Sequence, residues 1–203
     1  MKRKRTLKSY AAKVVKKVII SGDSGSELKK AFLAEVRIMR MTTHKNILRL
    51  HEIHETRSEV VLILELIRGP NISHLHSLGQ PLHEIELTSI MRDVLLILKT
   101  LHSNGIIHRD ISPPKLLLLK KGSPCPLNPV ILVGFSSCSF YASDKIPSDT
   151  GTYGFIAPEC LRDIPAANKL ANQPSRDLWS LGSLIFYMAT KHYPLKKELG
   201  RKI

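Results

Sequence analysis

Apolar positions along the chain follow two spacings, and the switches between them mark its elements. From Ser9 to Ile20, "SYAAKVVKKVII" is rich in β-branched residues and predicts a strand that carries Lys13. After the loop "SGDSGS", Ser24 and Glu27 have the spacing of a helix-capping box. Leu28, Phe32, Val36 and Met39 then recur at helical intervals and predict an amphipathic helix to about Met41. "NILRLHEIHET" and "EVVLILELI" predict two strands joined at Arg57-Ser58, the second apolar enough to be buried and stopped by Gly69-Pro70. From Glu84 to His102, Leu87, Met91, Val94, Leu95, Leu98 and Leu101 mark a long helix ended by Asn104-Gly105. Two short apolar runs, Leu116–Leu119 and Val130–Val133, flank the turn-rich "KKGSPCPLNP". A long stretch of Ser, Asp, Thr and Gly leads to Pro158, and Leu178, Leu181, Ile185 and Met188 define a last helix from Asp177 to Thr190. Strands with one helix, then a mostly helical half, predict a two-lobed α+β architecture.

Composition narrows the function classes. The chain has 203 residues, of which 43% are hydrophobic, enough to bury a core. Its 31 Lys and Arg against 17 Asp and Glu give a net charge of +14. The basic residues are scattered, aromatics are few, and no nucleic-acid-binding motif occurs, so no nucleic-acid partner is expected. The start Lys2-Arg3-Lys4-Arg5 reads as a solvated chain end, with nuclear import as the alternative. Cys125, Cys138 and Cys160 are odd in number and lack C-x-x-C spacing, which argues against a disulfide framework or a thiolate zinc site. No apolar stretch is long enough to span a bilayer and no secretory signal is apparent, so the expected compartment is cytoplasmic or nuclear. His51/His54 and His74/His76 read as surface histidines, because no acidic or Cys partners complete a metal site.

The remaining motifs form an ordered series: "YAAK", "FLAEVRIM", "THKNILRLHEI", "LILELIRG", "HRD", "GTYGFIAPE" and "RDLWSLG". In that order and on those elements the chain resembles the eukaryotic protein kinase domain, nearest the calcium/calmodulin-dependent Ser/Thr group. The resemblance runs from Tyr10 to Pro194. It implies a protein-kinase-like two-lobed fold, with residues 1–67 as a partial N-lobe and 68–203 as a partial C-lobe. It further implies that Lys13 and Glu35 form the ion pair that aims an ammonium at nucleotide phosphates. Leu64, Glu65 and Leu66 would border an adenine, with Leu117 from the run after the loop also at the nucleotide. Asp110 corresponds to the base that accepts a substrate hydroxyl's proton. Arg109 corresponds to the residue that pairs with a phosphorylated activation segment.

Four departures modify that expectation. In the family a lysine stands two positions after the aspartate and a metal-binding asparagine five positions after it; here Ser112 and Lys115 occupy those places. "VILVGFSSC" puts Gly134 where the metal-binding aspartate of Asp-Phe-Gly belongs, with Phe135 retained. No G-x-G-x-x-G occurs, and relative to the family the sequence reads as incomplete at both ends, without the glycine-rich loop strands and the final helices. Glycine supplies no side-chain oxygen, and lysine places a cation where a dication would sit, a repulsion on the order of a few kcal/mol. ATP is therefore expected only as a weak ligand and magnesium not at all. The reading that follows is an inactive kinase-like interaction or regulatory module with a protein partner, an active kinase being one candidate. Its rivals are a working Ser/Thr kinase and a truncated product without independent function. Ser148, Thr150 and Thr152 are candidate phosphorylation sites facing Arg109. Leu184, Ile185, Phe186, Tyr187 and Met188 form an apolar run expected to stay partly exposed.

Overall fold

The structure is a computed structural model that describes residues 8–17, 25–77, 82–122, 124–125, 128–141, 150–161 and 173–195. Strands β1 (Tyr10–Lys16), β2 (Leu50–Glu55) and β3 (Glu59–Glu65) form an antiparallel sheet in the order β1-β3-β2. Side chains alternate across a strand, and on β3 that period sends Val60, Leu62 and Leu64 inward. Helix α1 (Gly25–Met41) covers this face with Ile38 and Met39, flanked by Phe32 and Val36. The same helix turns Glu35 into the interior.

The second half is built on helix α3 (Glu84–Ser103), which follows the short helix α2 (Ile72–Ser77). Ile90, Val94, Ile97, Leu98 and Leu101 of α3 are fully buried or nearly so. Its start is fixed where Glu86 accepts the His83 backbone N–H at 2.8 Å. The two-residue strands β4 (Ile106–Ile107) and β7 (Ser139–Phe140) pair with each other, and β5 (Leu116–Leu118) pairs with β6 (Val130–Leu132). Helix α4 (Ser175–Thr190) packs on α3 through Leu181, Leu184 and Met188. Its Phe186 remains 43% exposed and Leu178 50%, so the apolar run is divided between core and surface.

Residues 46–48 tie the halves together. The Leu132 N–H donates to Asn46 O, the Leu48 N–H to Leu132 O, and Asn46 Nδ2 to Val130 O. From the other side Asp93 Oδ2 accepts the Val130 N–H at 3.1 Å. The linker from β3 to α2 lies directly on β5, where the Leu118 N–H donates to Pro70 O.

The α+β order agrees with the apolar pattern. The first strand is shorter than the expected Ser9–Ile20, ending at Lys16; residues 18–20, like Ser24 of the expected capping box, lie outside the described residues. The β3 strand ends at Glu65, before Gly69-Pro70. Helix α2 and the β4/β7 pair are too short to show a period, and the sequence reading contains neither. All three cysteines are free thiols.

A Cβ at Gly69 would collide with the Leu118 carbonyl oxygen. Gly69→Ala should therefore lower stability by about 1–3 kcal/mol, the range of overpacked interiors, in urea unfolding followed by circular dichroism.

Candidate functional site

The site grows from two ion pairs on different halves. Pairing of β1 with β3 sets Lys13 opposite Leu62 at the sheet edge facing α1. Its Nζ lies 2.8 and 2.7 Å from the two carboxylate oxygens of Glu35. Glu35 is buried while the Lys13 side chain is 42% exposed, so the carboxylate fixes the ammonium and the ammonium keeps one side toward solvent.

The second pair stands on the loop after β4. Asp177, fully buried at the start of α4, accepts the His108 N–H on Oδ2 at 2.9 Å and the Arg109 N–H on Oδ1 at 2.8 Å. His102 Nε2 lies 2.9 Å from the same Oδ2. Held this way, Arg109 takes a left-handed backbone with φ 69°, and the chain turns to present Asp110. His108 Nδ1 accepts the Asp110 N–H, and the imidazole meets Phe135 edge-on at 5.6 Å. Burial pulls the His108 imidazole below its ordinary pKa, against the opposing pull of Asp177 and Asp110. Burial and the neighbouring Arg176 lower the Arg109 guanidinium to about 10, which leaves it charged at neutral pH.

Both carboxylate oxygens of Asp110 are occupied. Thr152 donates its hydroxyl to Oδ1 at 2.6 Å, Ser112 reaches the same oxygen at 3.3 Å, and Lys115 Nζ lies 3.4 Å from Oδ2. The lysine side chain runs over Gly134: a Cβ there would lie 3.1 Å from Nζ and 3.2 Å from Cδ. Gly134 has φ 77°, a conformation that favours glycine, so the position is suited to its residue by backbone as well as by space.

A divalent cation does not fit this donor set. The one carboxylate at the loop already faces three donors, Gly134 contributes no side-chain oxygen, and an ammonium fills the hollow beside it. Among the described residues no three His, Cys, Asp or Glu side chains gather closely enough to hold a metal ion.

The residues expected from the sequence fall out unequally. Lys13 meets Glu35, and Asp110 meets Lys115. Leu64 points into the core and Leu66 is half-exposed. The Glu65 amide donates to Arg49 O at 2.9 Å, so that donor belongs to the sheet and is not available to a ligand edge. Leu117, half-buried on β5, bridges to Asn71 in the linker. Arg109 is buried with its carbonyl oxygen against Gly151, and the neighbouring Thr150 carbonyl accepts a hydrogen bond from Arg176 at 2.7 Å. Thr152 is corrected as a phosphorylation candidate: its hydroxyl is bound to Asp110, and a phosphate would set a dianion against a carboxylate. Ser148 lies outside the described residues. His54 is a surface residue, as expected, and its Nε2 lies 2.9 Å from a Glu52 carboxylate oxygen, an acidic neighbour the sequence reading did not give it. The positioning roles of His108, Asp177 and Arg176 are absent from the sequence reading, although all three sit inside its quoted motifs.

Residues 1–203 match the protein kinase domain model, and the chain belongs to the protein kinase family. It is a kinase-like domain of the Ser/Thr type, with relatives in the calcium/calmodulin-dependent group. It is 30% identical over 191 residues to death-associated protein kinase 2 of Mus musculus, covering 94% of this chain and 50% of that protein. To calcium/calmodulin-dependent protein kinase type IV of Homo sapiens it is 30% identical over 200 residues, covering 98% of this chain and 39% of that one. To sperm motility kinase 3A of Mus musculus it is 30% identical over 177 residues, 84% of this chain and 33% of that one. The chain thus spans half or less of the length of these relatives.

Two outcomes follow from this geometry. Asp177→Asn replaces a buried acceptor of two backbone N–H groups with an amide that also carries a donor. Stability should fall by about 2–4 kcal/mol in denaturant titration. His108 has its pKa lowered on folding, so the unfolded chain binds more protons below about pH 6.5. Stability should therefore drop as pH falls from 7 to 5, and His44, also lowered chiefly by burial, adds in the same direction. Melting temperatures across that range should decline less steeply in His108→Asn.

Proposed function

We propose that this chain is a pseudokinase: a Ser/Thr-type kinase domain that acts as an interaction or regulatory module and carries out no metal-dependent phosphoryl transfer. The observation that carries the reading is the Lys115 ammonium, 3.4 Å from Asp110 and against Gly134. Transfer of a phosphoryl group needs cations at the phosphates, a free base at the hydroxyl and metal to neutralise developing charge. Here the base is engaged by Thr152 and Lys115, and the two metal-binding side chains of the family are a glycine and a lysine.

Residues 1–67 and 68–203 are read as the two lobes of this module. ATP is at most a weak ligand, and magnesium has no part in the site. The partner is a protein, with an active kinase as the candidate class, and no nucleic acid is involved. No helix among the described residues is long and apolar enough to cross a membrane. The compartment we propose is the cytoplasm or nucleus. Phosphorylation at Thr150, next to the buried Arg109 and Arg176 pair, is the proposed regulatory input.

A second reading, an active Ser/Thr kinase, draws support from the Lys13–Glu35 pair and from the presence of Asp110 on its loop. Transfer of radiolabelled phosphate from ATP and magnesium to Ser/Thr peptides decides between them. The chain and its Asp110→Ala variant are expected to show the same background, because each lost electrostatic group typically costs ~10²–10³ in rate. Turnover that vanishes in Asp110→Ala would establish the active reading.

A further inference from the structure

We propose that Lys115 is a resident cation in the position of the family's metal, made possible by Gly134, and that it receives the phosphates of a nucleotide taken up without a divalent ion. The inference rests on the pseudokinase reading and goes further, by giving the weak nucleotide ligand a mode of binding.

Three observations meet here. The first is space: Cδ and Nζ of Lys115 both lie within 3.2 Å of where a Cβ at position 134 would be, so the side chain fills the volume that an aspartate would take. The second is charge. Lys115 is paired with Asp110 on one side and its side chain remains 27% exposed on the other. An ammonium has three donors, and one carboxylate oxygen at 3.4 Å does not use them all. The third is the matching pair, Lys13 with Glu35, whose ammonium is likewise half open. Each lysine is held by one carboxylate, Lys13 through both oxygens of Glu35, and each keeps part of its side chain exposed, where a polyanion could reach it. A divalent ion would need Asp110, which Lys115 already neutralises, and would approach a like charge with no added carboxylate to offset it. A nucleotide triphosphate free of metal carries more negative charge than its magnesium complex and suits two ammonium groups better.

The two positions are therefore interdependent. Gly134→Asp alone would place a carboxylate on the ammonium and close an internal salt bridge, without creating a metal site. Only Lys115→Asn together with Gly134→Asp would supply oxygen ligands free of a competing cation.

The test is a titration of the full chain with a fluorescent ATP analogue, in EDTA and in magnesium. The unmodified chain should bind with affinities in the two conditions within about twofold of each other. Lys115→Met and Gly134→Asp should each weaken binding in EDTA at least roughly tenfold, Lys115→Arg should retain it, and the double variant should become magnesium-dependent. In the unmodified chain, ATP in EDTA should also slow acetylation of Lys115, read by mass spectrometry; this needs no variant to fold. Absence of nucleotide binding, a tenfold gain on adding magnesium, or unprotected Lys115 overturns the assignment. Each of these leaves the module reading intact unless phosphate transfer is also found, which separates the two failures.

Discussion

Asp177 holds the loop of the site by its backbone. Its carboxylate accepts the N–H groups of His108 and Arg109, consecutive residues whose amides would otherwise be buried without acceptors. Once these are fixed, Arg109 is forced into its left-handed turn, Asp110 is aimed at Thr152 and Lys115, and His108 is set against Phe135. The anchor comes from α4, far along the chain, so the loop's shape is a tertiary product. This is also why a three-residue motif can be recognised in a sequence without revealing what supports it.

The electrostatics around the anchor are those of neutralised pairs. Glu35 balances Lys13, Asp110 balances Lys115, and Asp177 sits near His102. Near Thr150, Arg109 and Arg176 are both buried, and the first loses part of its proton affinity to desolvation and to that proximity. The bound hydroxyl of Thr152 serves as a strut between segment and loop.

Periodicity revealed the long elements because their burial is one-sided. The α3 pattern of Val94, Leu98 and Leu101 and the alternation on β3 are direct images of a core. Helix α2 and the two-residue strands escaped because they are held by neighbours and carry no pattern of their own. At the site, residue identities were legible and contacts only partly so. Gly134 and Lys115 stood out as substitutions against a family pattern, while their mutual contact shows only in the folded chain. The engagement of Thr152 with Asp110 and the commitment of the Glu65 amide to Arg49 could not, since both depend on the path of backbone between distant elements.

The tie between Asn46 and β6 has a consequence for the order of events as the chain is made. Asn46 Nδ2 donates to Val130 O across 84 positions, and the Leu48 amide closes on Leu132 nearby. Helix α1 and the first sheet are complete in sequence well before those acceptors leave the ribosome. Until then, the Asn46 side-chain amide lacks this acceptor, although its backbone N–H can still reach His44 Nδ1. Contacts of such separation slow folding because loop closure must precede their reward. The junction between the halves therefore cannot close before β5 and β6 have been made.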